Sequence, residues 1–173
     1  MTTLSQHLLS RHLNLELHNP VLDNDNNVAT FYLWNLSGQM VGYQQYRPDA
    51  NKEKKNDPRD GRYFTCRKSP TVAVWGVESL HLNTKVVFLT EGVFDAARFT
   101  NRGYPAVAAL SNDPTGDVGN WLQCLGRRVV SVCDAGKAGL KLRKFGHQVF
   151  TVDEGDMGDA PEELVTHVLN TFG

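Results

Sequence analysis

The sequence predicts an α/β fold in two parts: a small α+β subdomain over residues 1–83, then a parallel sheet of about four strands with helices on both faces over 84–173. Two patterns predict this division. From residue 84 onward, short β-branched runs alternate with helical segments, as they do in parallel sheets. Before that point, residues 28–46 show the period of two that is typical of an antiparallel hairpin.

The first 20 residues predict a short amphipathic helix that is capped by Thr3 or Ser5 and ends near Asn19-Pro20. Four leucines recur at helical spacing there: Leu4, Leu8, Leu9 and Leu13. The polar run over 23–27 predicts a turn.

An aromatic segment follows this turn and predicts two strands, from Val28 to Tyr46, around Ser37-Gly38. The next segment, 47–68, is rich in lysine and arginine and contains Pro48 and Pro58. It is therefore expected to be a basic loop that ends in a short strand over 62–66.

The second part is expected to contain four strands and four helices. The predicted strands span 85–90, 106–110, 127–133 and 147–152. The predicted helices span 94–101, a segment ending at 125, 135–145 and 161–170.

Composition excludes several classes of protein. The chain is 40% hydrophobic and 21% charged, which is typical of a packed globular domain and not of a disordered one. Its three cysteines are far apart and form no CxxC pair, which argues against a zinc ribbon or a disulfide framework. No apolar run reaches the ~20 residues of a membrane span, and the N-terminus does not have the pattern of a signal peptide. A cytoplasmic protein is expected.

The formal net charge of −1 is an average over segments of opposite sign. Residues 47–68 carry eight Lys or Arg against four acids, and residues 120–147 carry six against one. From Val152 to the C-terminus there are six acids and no Lys or Arg. This distribution is compatible with a nucleic-acid-binding protein that also has an acidic, cation-binding edge.

Acidic residues follow each predicted strand of the second part, where the carboxyl ends of parallel strands form one edge. They are Glu91, Asp113, Asp134 and the group Asp153, Glu154, Asp156 and Asp159. Carboxylates gathered in this way repel one another unless a divalent cation lies between them, and their oxygens suit Mg²⁺ or Mn²⁺. For Glu91 and Asp134 to share a metal, the first and third of these strands must be neighbours, with the second outside them.

Glycines near these acids favour an approach by phosphate. Gly92 permits a sharp turn after Glu91, and Gly136 and Gly139 leave room at the start of the third helix. The alternative interpretation is structural, because an acid at a strand end often caps a helix. Asp159, with Glu162 three residues later, has the spacing of a capping box for the last helix.

Three ordered motifs over residues 84–170 resemble those of the Toprim family. They are VVFLTEGVFDA at 86–96, VVSVCDAGKAG at 129–139 and DMGDAPEEL at 156–164. The resemblance implies a Toprim fold in which Glu91 is a general base or metal ligand and acts together with Asp134. It also implies a Mg²⁺ or Mn²⁺ site formed by Glu91, Asp134, Asp156 and Asp159.

Within this family the chain is most similar to the catalytic cores of bacterial and phage-type DNA primases. The upstream segments that carry this similarity are 31–34, 41–43, 62–64 and 75–77, together with Gly38 and Arg47. The resemblance implies RNA primer synthesis from nucleotides on a single-stranded DNA template. The residues it implies for contacts to template and phosphates are Arg47, Arg62, Lys68 and Lys137.

The sequence departs from the family pattern at Gly136, which occupies the position of the second Asp of the Asp-x-Asp motif. No Cys/His set and no GxxxxGK[ST] loop is present, so a zinc module or a helicase is expected as a separate partner. Two alternatives to a primase therefore stay open. One is a catalytically degenerate Toprim protein that binds nucleic acid or another protein, and the other is a metal-dependent nuclease.

Overall fold

The computed structural model describes residues 3–35, 37–52, 57–68, 72–111, 114 and 116–173. The strands are β1 (Val21–Asp23), β2 (Val28–Trp34), β3 (Met40–Tyr46), β4 (Tyr63–Arg67), β5 (Val86–Thr90), β6 (Ala106–Ala108), β7 (Arg128–Cys133) and β8 (Gln148–Thr151). The α-helices are α1 (Leu4–Ser10), α2 (Leu15–His18), α3 (Val93–Thr100), α4 (Gly116–Cys124), α5 (Gly136–Gly139) and α6 (Glu162–Phe172). Among the described residues, no helix is long and apolar enough to cross a membrane.

The N-terminal segment forms two short helices where the sequence predicted one. Thr3 caps α1, because its Oγ1 accepts the backbone N–H of Gln6 at 3.2 Å. The chain then turns at His12, whose φ of 63° is incompatible with a continuous right-handed helix. Leu9, one of the four leucines predicted for the apolar side, is 56% exposed.

The predicted hairpin is confirmed as the centre of an antiparallel sheet with the order β1-β2-β3-β4. Phe31 and Leu33 of β2 are buried, whereas Tyr32 between them is partly exposed. One face of the sheet therefore packs on the core and the other faces outward. Strand β1 was not predicted; it pairs antiparallel with β2.

The second part forms the predicted parallel sheet of four strands, and their order is β6-β5-β7-β8. β5 and β7 are hydrogen-bonded neighbours and β6 lies outside them, which is the arrangement that a shared site for Glu91 and Asp134 requires. All residues of β5 and β6 are buried, which explains why these strands read as continuous apolar runs.

The third helix of this part is shorter than the predicted 135–145. It consists of the single α-turn α5 followed by a 3-10 segment, Leu140–Phe145. Gly136 has a φ of 90°, and a methyl group at Gly139 would lie 2.2 Å from the carbonyl oxygen of Asp134. Gly139 is therefore required by the close packing of α5 on the end of β7.

The capping box predicted for the last helix is wrong. α6 begins after Pro161, which makes no side-chain cap. Asp156 instead caps a 3-10 turn, Met157–Asp159, by accepting the N–H of Asp159 at 3.0 Å. Glu162 is bound by Arg98 and Arg102 of the α3 region.

Residues 74 and 75 join the two sheets. Val74 exchanges two backbone hydrogen bonds with Trp34, at 2.9 and 3.0 Å, and Trp75 exchanges two with Ala108, both at 3.0 Å. Buried His18 adds a second connection, since its ring bonds to Glu78 and to Thr100 Oγ1. One cluster of buried side chains includes residues from both sides of the predicted domain boundary at 83/84. The core is therefore continuous across this position, and the boundary stays a prediction.

Replacing Gly139 by alanine is expected to destabilise the protein by about 1–3 kcal/mol, because the added methyl group overlaps the Asp134 carbonyl. Urea unfolding followed by circular dichroism measures the loss. Ala138→Ser, at the exposed neighbouring position, is the control and should be nearly neutral. An equal stability of Gly139→Ala and wild type would contradict the packing role.

Candidate active site

A cleft of about 350 Å³ lies between the carboxyl edge of the parallel sheet and the antiparallel sheet. We call it the acidic cleft. The parallel sheet and its loops contribute four carboxyl groups: Glu91, Asp95, Asp134 and Asp156. The opposite wall is polar and cationic, with Arg11, Gln44, Lys52, Tyr63 and Thr65.

Glu91 and Asp134 form the centre of the acidic cleft. They directly follow β5 and β7, so strand pairing brings their carboxyl groups together, and the two groups share a hydrogen bond. Burial, the charges of Glu91 and Asp156 and this hydrogen bond raise the pKa of Asp134 to about 7. Burial and the charge of Asp156 also raise the pKa of Glu91, against the opposing effect of the hydrogen bond with Asp134.

Asp156 is the third carboxylate of the cleft. It comes from the loop after β8, and its charge raises the pKa values of both Glu91 and Asp134. One of its oxygens, Oδ1, is occupied by the N–H of Asp159. Asp156 is therefore held in place by the same 3-10 turn that follows it.

Asp95 is the buried acid that holds this arrangement together. Its Oδ2 accepts the N–H of Gly92 at 2.9 Å and its Oδ1 accepts the N–H of Gly158 at 2.7 Å. Burial, together with the charges of Asp134 and Asp156, raises its pKa to about 8 despite these two bonds. In the sequence, Asp95 is recognisable only as part of the motif at 86–96. The available signal for its bond to the backbone was its position three residues after Gly92.

Asp159, predicted as a metal ligand, does not line the acidic cleft. Its side chain is 61% exposed and its Oδ1 lies 3.2 Å from Arg11 Nη2. Asp153 and Glu154 are exposed in the same loop. Asp113, expected at this edge, lies outside the described residues.

The four cations predicted to contact nucleic acid lie outside the lining of the cleft. Arg47 Nη2 donates to Gln45 Oε1 and Arg62 Nε donates to the carbonyl of Ala50. Lys68 is exposed beyond the end of β4, and Lys137 is exposed in α5, three residues after Asp134.

The cations that do line the cleft are Arg11 and Lys52. Neither was predicted to contact nucleic acid. Arg11 lies over the ring of Phe94, 4.5 Å from its centroid, and pairs with Asp159. Its Nε is buried and has no hydrogen-bond partner in the described part of the chain. Lys52 belongs to the predicted basic loop, whose charge was the only signal for it.

The carboxyl groups of the cleft fit a divalent cation, although the described residues contain no group of three or more His, Cys, Asp or Glu side chains arranged as a metal centre. A hydrogen bond between Glu91 and Asp134 requires a proton between two acids. A Mg²⁺ or Mn²⁺ ion in that place would stabilise both charges, and carboxylate oxygens are the ligands these ions prefer. Asp134 is therefore the residue best placed to hold it, with Glu91 and Asp156 beside it.

Without a metal, the stability of the protein is expected to fall as pH rises from about 5 to 8. The pKa of Asp134 is about 7 in the folded state, which is above its value in the unfolded state. The contribution of this group to the stability is therefore fully present below the unfolded pKa and is lost as pH rises through 7. Thermal unfolding in EDTA across this range measures the effect. Asp134→Asn should reduce the slope without abolishing it, because Asp95, with a pKa of about 8, contributes a slope of the same sign. Asp153→Asn, at an exposed acid of the same edge, should leave the slope unchanged.

Gly136→Asp, which restores the acid of the family motif, is expected to lower stability by about 1–2 kcal/mol. A side chain there would meet no atom within 4 Å, but the φ of 90° is strained for any L residue. Gly136→Ala should therefore lose a similar amount in the same urea titration. If only the Asp variant were destabilised, repulsion with Glu91 and Asp134 would be the cause and the backbone explanation would be wrong.

Comparisons with solved structures find the same fold in primases. The primase fragment of the bacteriophage T7 primase-helicase protein superposes with a TM-score of 0.63 at 12% identity, over 95% of this chain and 72% of that one. The RNA polymerase domain of Mycobacterium tuberculosis primase, in complex with double-stranded DNA, gives 0.61 at 16% identity, over 96% and 63%. A primase catalytic domain bound to single-stranded DNA gives 0.56 at 14% identity, over 92% and 56%.

The chain thus spans between about half and three quarters of the structures it resembles. No family model matches its sequence, and no curated protein sequence matches it. The likeness to these structures covers 92–96% of the chain and so extends over both sheets. The chain has the Toprim fold of primase catalytic cores.

Proposed function

We propose that the chain is a phage-type primase-like protein that synthesises short RNA primers on single-stranded DNA, using Mg²⁺ or Mn²⁺, in the cytoplasm. The observation that carries the proposal is the pair of acids Glu91 and Asp134, which β5 and β7 place together in the acidic cleft of a primase-core fold. The two acids face a wall with Arg11 and Lys52, so the cleft has groups for a cation and for phosphates.

The chemistry in this proposal is transfer of a nucleotidyl group from a ribonucleoside triphosphate to a hydroxyl: the new phosphate ester bond forms as the bond between the α- and β-phosphates breaks, and pyrophosphate leaves. A bound divalent ion would supply Lewis acidity toward the phosphate that is attacked. Glu91, whose raised pKa makes it a better proton acceptor than an ordinary carboxylate, would accept the proton of the attacking hydroxyl. Asp134 and Asp156 would hold the cation beside it.

Arg11 and Lys52 would bind the phosphates from the other wall. Arg11 lines the cleft and its side chain is partly exposed, so its guanidinium can donate to a phosphate oxygen there. The ion pair with Asp159 and the ring of Phe94 fix the guanidinium in position before the nucleotide arrives. Lys137, exposed close to Asp134, is a further candidate for phosphate contacts.

The template is single-stranded DNA in this proposal, because similar structures are described in complex with single-stranded and double-stranded DNA. Gln44, Tyr63 and Thr65 line the cleft on the side of the antiparallel sheet. Selection of the priming site and unwinding of the duplex would come from a zinc-module protein and a helicase.

Incubation of the protein with single-stranded DNA, the four ribonucleoside triphosphates and Mg²⁺ is expected to give short RNA on a denaturing gel. Glu91→Gln should lower synthesis by about 100-fold or more, because it removes the proton acceptor. Asp134→Asn should act similarly, and Asp153→Asn should retain wild-type synthesis. A wild-type protein that makes no RNA in Mg²⁺ or Mn²⁺, even with a replicative helicase, would contradict the proposal, and cleavage of the template in Mn²⁺ would point to a nuclease.

A catalytically degenerate Toprim protein is the second candidate, and Gly136 favours it. Gly136 has a φ that an aspartate occupies only with strain. This position therefore lacks the carboxylate and also has a backbone conformation that disfavours one. Calorimetric titration with Mn²⁺ separates the two candidates. Binding that Asp134→Asn abolishes supports a metal centre, whereas no binding supports the degenerate protein.

A further inference from the structure

The antiparallel sheet has a second face, directed away from the acidic cleft, that carries four aromatic side chains. We call it the aromatic face, and its residues are Tyr32, Trp34, Tyr43 and Phe64. Strand alternation places them there, because their neighbours Phe31, Leu33 and Gln44 are buried on the opposite side. Gln44 and Thr65, which are partners in the β3–β4 register, line the cleft and so mark the other face.

The four rings form two contacting pairs. Tyr32 and Trp34 have ring centroids 6.2 Å apart, and Tyr43 and Phe64 have centroids 6.3 Å apart. Tyr32 is also the direct cross-strand partner of Tyr43. The rings therefore form one array across three strands, with side chains that are already ordered.

Within the described ranges, none of these rings packs against either of the two clusters of buried apolar side chains. All four are partly exposed. A folded chain gains little stability from aromatic side chains that remain in contact with water, and contiguous apolar surface of this kind commonly marks a binding site.

Cations surround the array. Lys68 lies beyond the end of β4 and Arg47 beyond the end of β3, so the two cations lie at opposite ends of the array. The outward positions between them, Gln45 and Cys66, are uncharged. The aromatic face thus combines flat rings with positive charge and has no carboxylate at its strand positions.

A shallow groove continues the aromatic face at one end. It has a volume of about 410 Å³ and is lined by Met40, Tyr43, Arg67 and Lys68, among others. Met40 is 58% exposed there. Two cations, a ring and a thioether in one groove give a flexible chain a place for both an apolar group and an anionic one.

We propose that the aromatic face is a second nucleic-acid site, which binds single-stranded DNA or RNA by stacking bases on its rings while Arg47 and Lys68 contact the phosphates. Every base has a flat π surface, so such stacking tolerates any sequence, and cations beside the rings suit the backbone. A protein partner or a second copy of the chain would use the rings but would gain nothing from the cations at both ends. The site lies on the opposite side of the sheet from the acidic cleft, and it does not depend on primer synthesis.

Fluorescence anisotropy with a labelled oligothymidylate, in EDTA so that no metal occupies the cleft, tests the proposal. Tyr43→Ala and Phe64→Ala are each expected to weaken binding by about tenfold, the effect typical of losing one stacked base. Tyr43→Phe, which keeps the ring, should bind like wild type. Val149→Ala, at an exposed apolar position of β8, is the control for loss of surface hydrophobicity alone and should also bind like wild type.

An abasic oligomer of equal length separates stacking from charge. It should bind more weakly than oligothymidylate to wild type and equally to wild type and Phe64→Ala. Equal affinity of both oligomers for wild type, or oligothymidylate binding that is unchanged in both ring variants, would overturn the proposal. So would a wild-type dimer, seen by light scattering, that Phe64→Ala converts to a monomer without any oligonucleotide binding.

Thermal unfolding of each variant shows whether it is folded, and Lys68→Ala gives a second reading that does not remove a ring. Lys68→Ala should lower the salt dependence of binding by about one counterion. Primer synthesis is scored separately. Suppose that wild type makes no RNA but binds oligothymidylate, and that Phe64→Ala loses this binding. The proposed function would then be refuted, and the site on the aromatic face would be supported.

Discussion

The parallel pairing of β5 with β7 is the constraint on which the acidic cleft depends. The register sets Leu89 opposite Ser131, so the residues that follow these strands leave the sheet side by side. Because both strands are covered by helices, the two acids that follow them emerge in a partly buried place, where ionisation of both is unfavourable. The site's need for a proton or a cation thus follows from sheet order and burial together.

The loop after β8 completes the site through Asp95. This carboxyl group lies in the first turn of α3 and bonds to two backbone amides that are 66 positions apart in the chain, those of Gly92 and Gly158. It therefore links the turn that carries Glu91 to the turn that carries Asp156. A residue that touches neither nucleotide nor template in the proposed reaction still determines how closely the acids of the cleft approach.

Much of this arrangement could be predicted from the sequence, because strand ends, glycines and acids occur in fixed local order. The position of Glu91 and Asp134 at strand ends was predicted in this way, and the adjacency of β5 and β7 is the condition under which the two acids could share a metal. Arg11 and Lys52 could not be, since they reach the cleft only through the packing of α1 and the basic loop. The choice between Asp156 and Asp159 depended on a 3-10 turn that directs one acid inward and leaves the other beside Arg11.

The backbone bonds of Val74 and Trp75 have a mechanical consequence for the cleft. They tie an edge of the parallel sheet at Ala108 to the hairpin at Trp34, and each tie is a pair of hydrogen bonds. The spacing of the two walls of the cleft therefore rests partly on main-chain pairing, and moving the walls apart along this line would break four backbone hydrogen bonds.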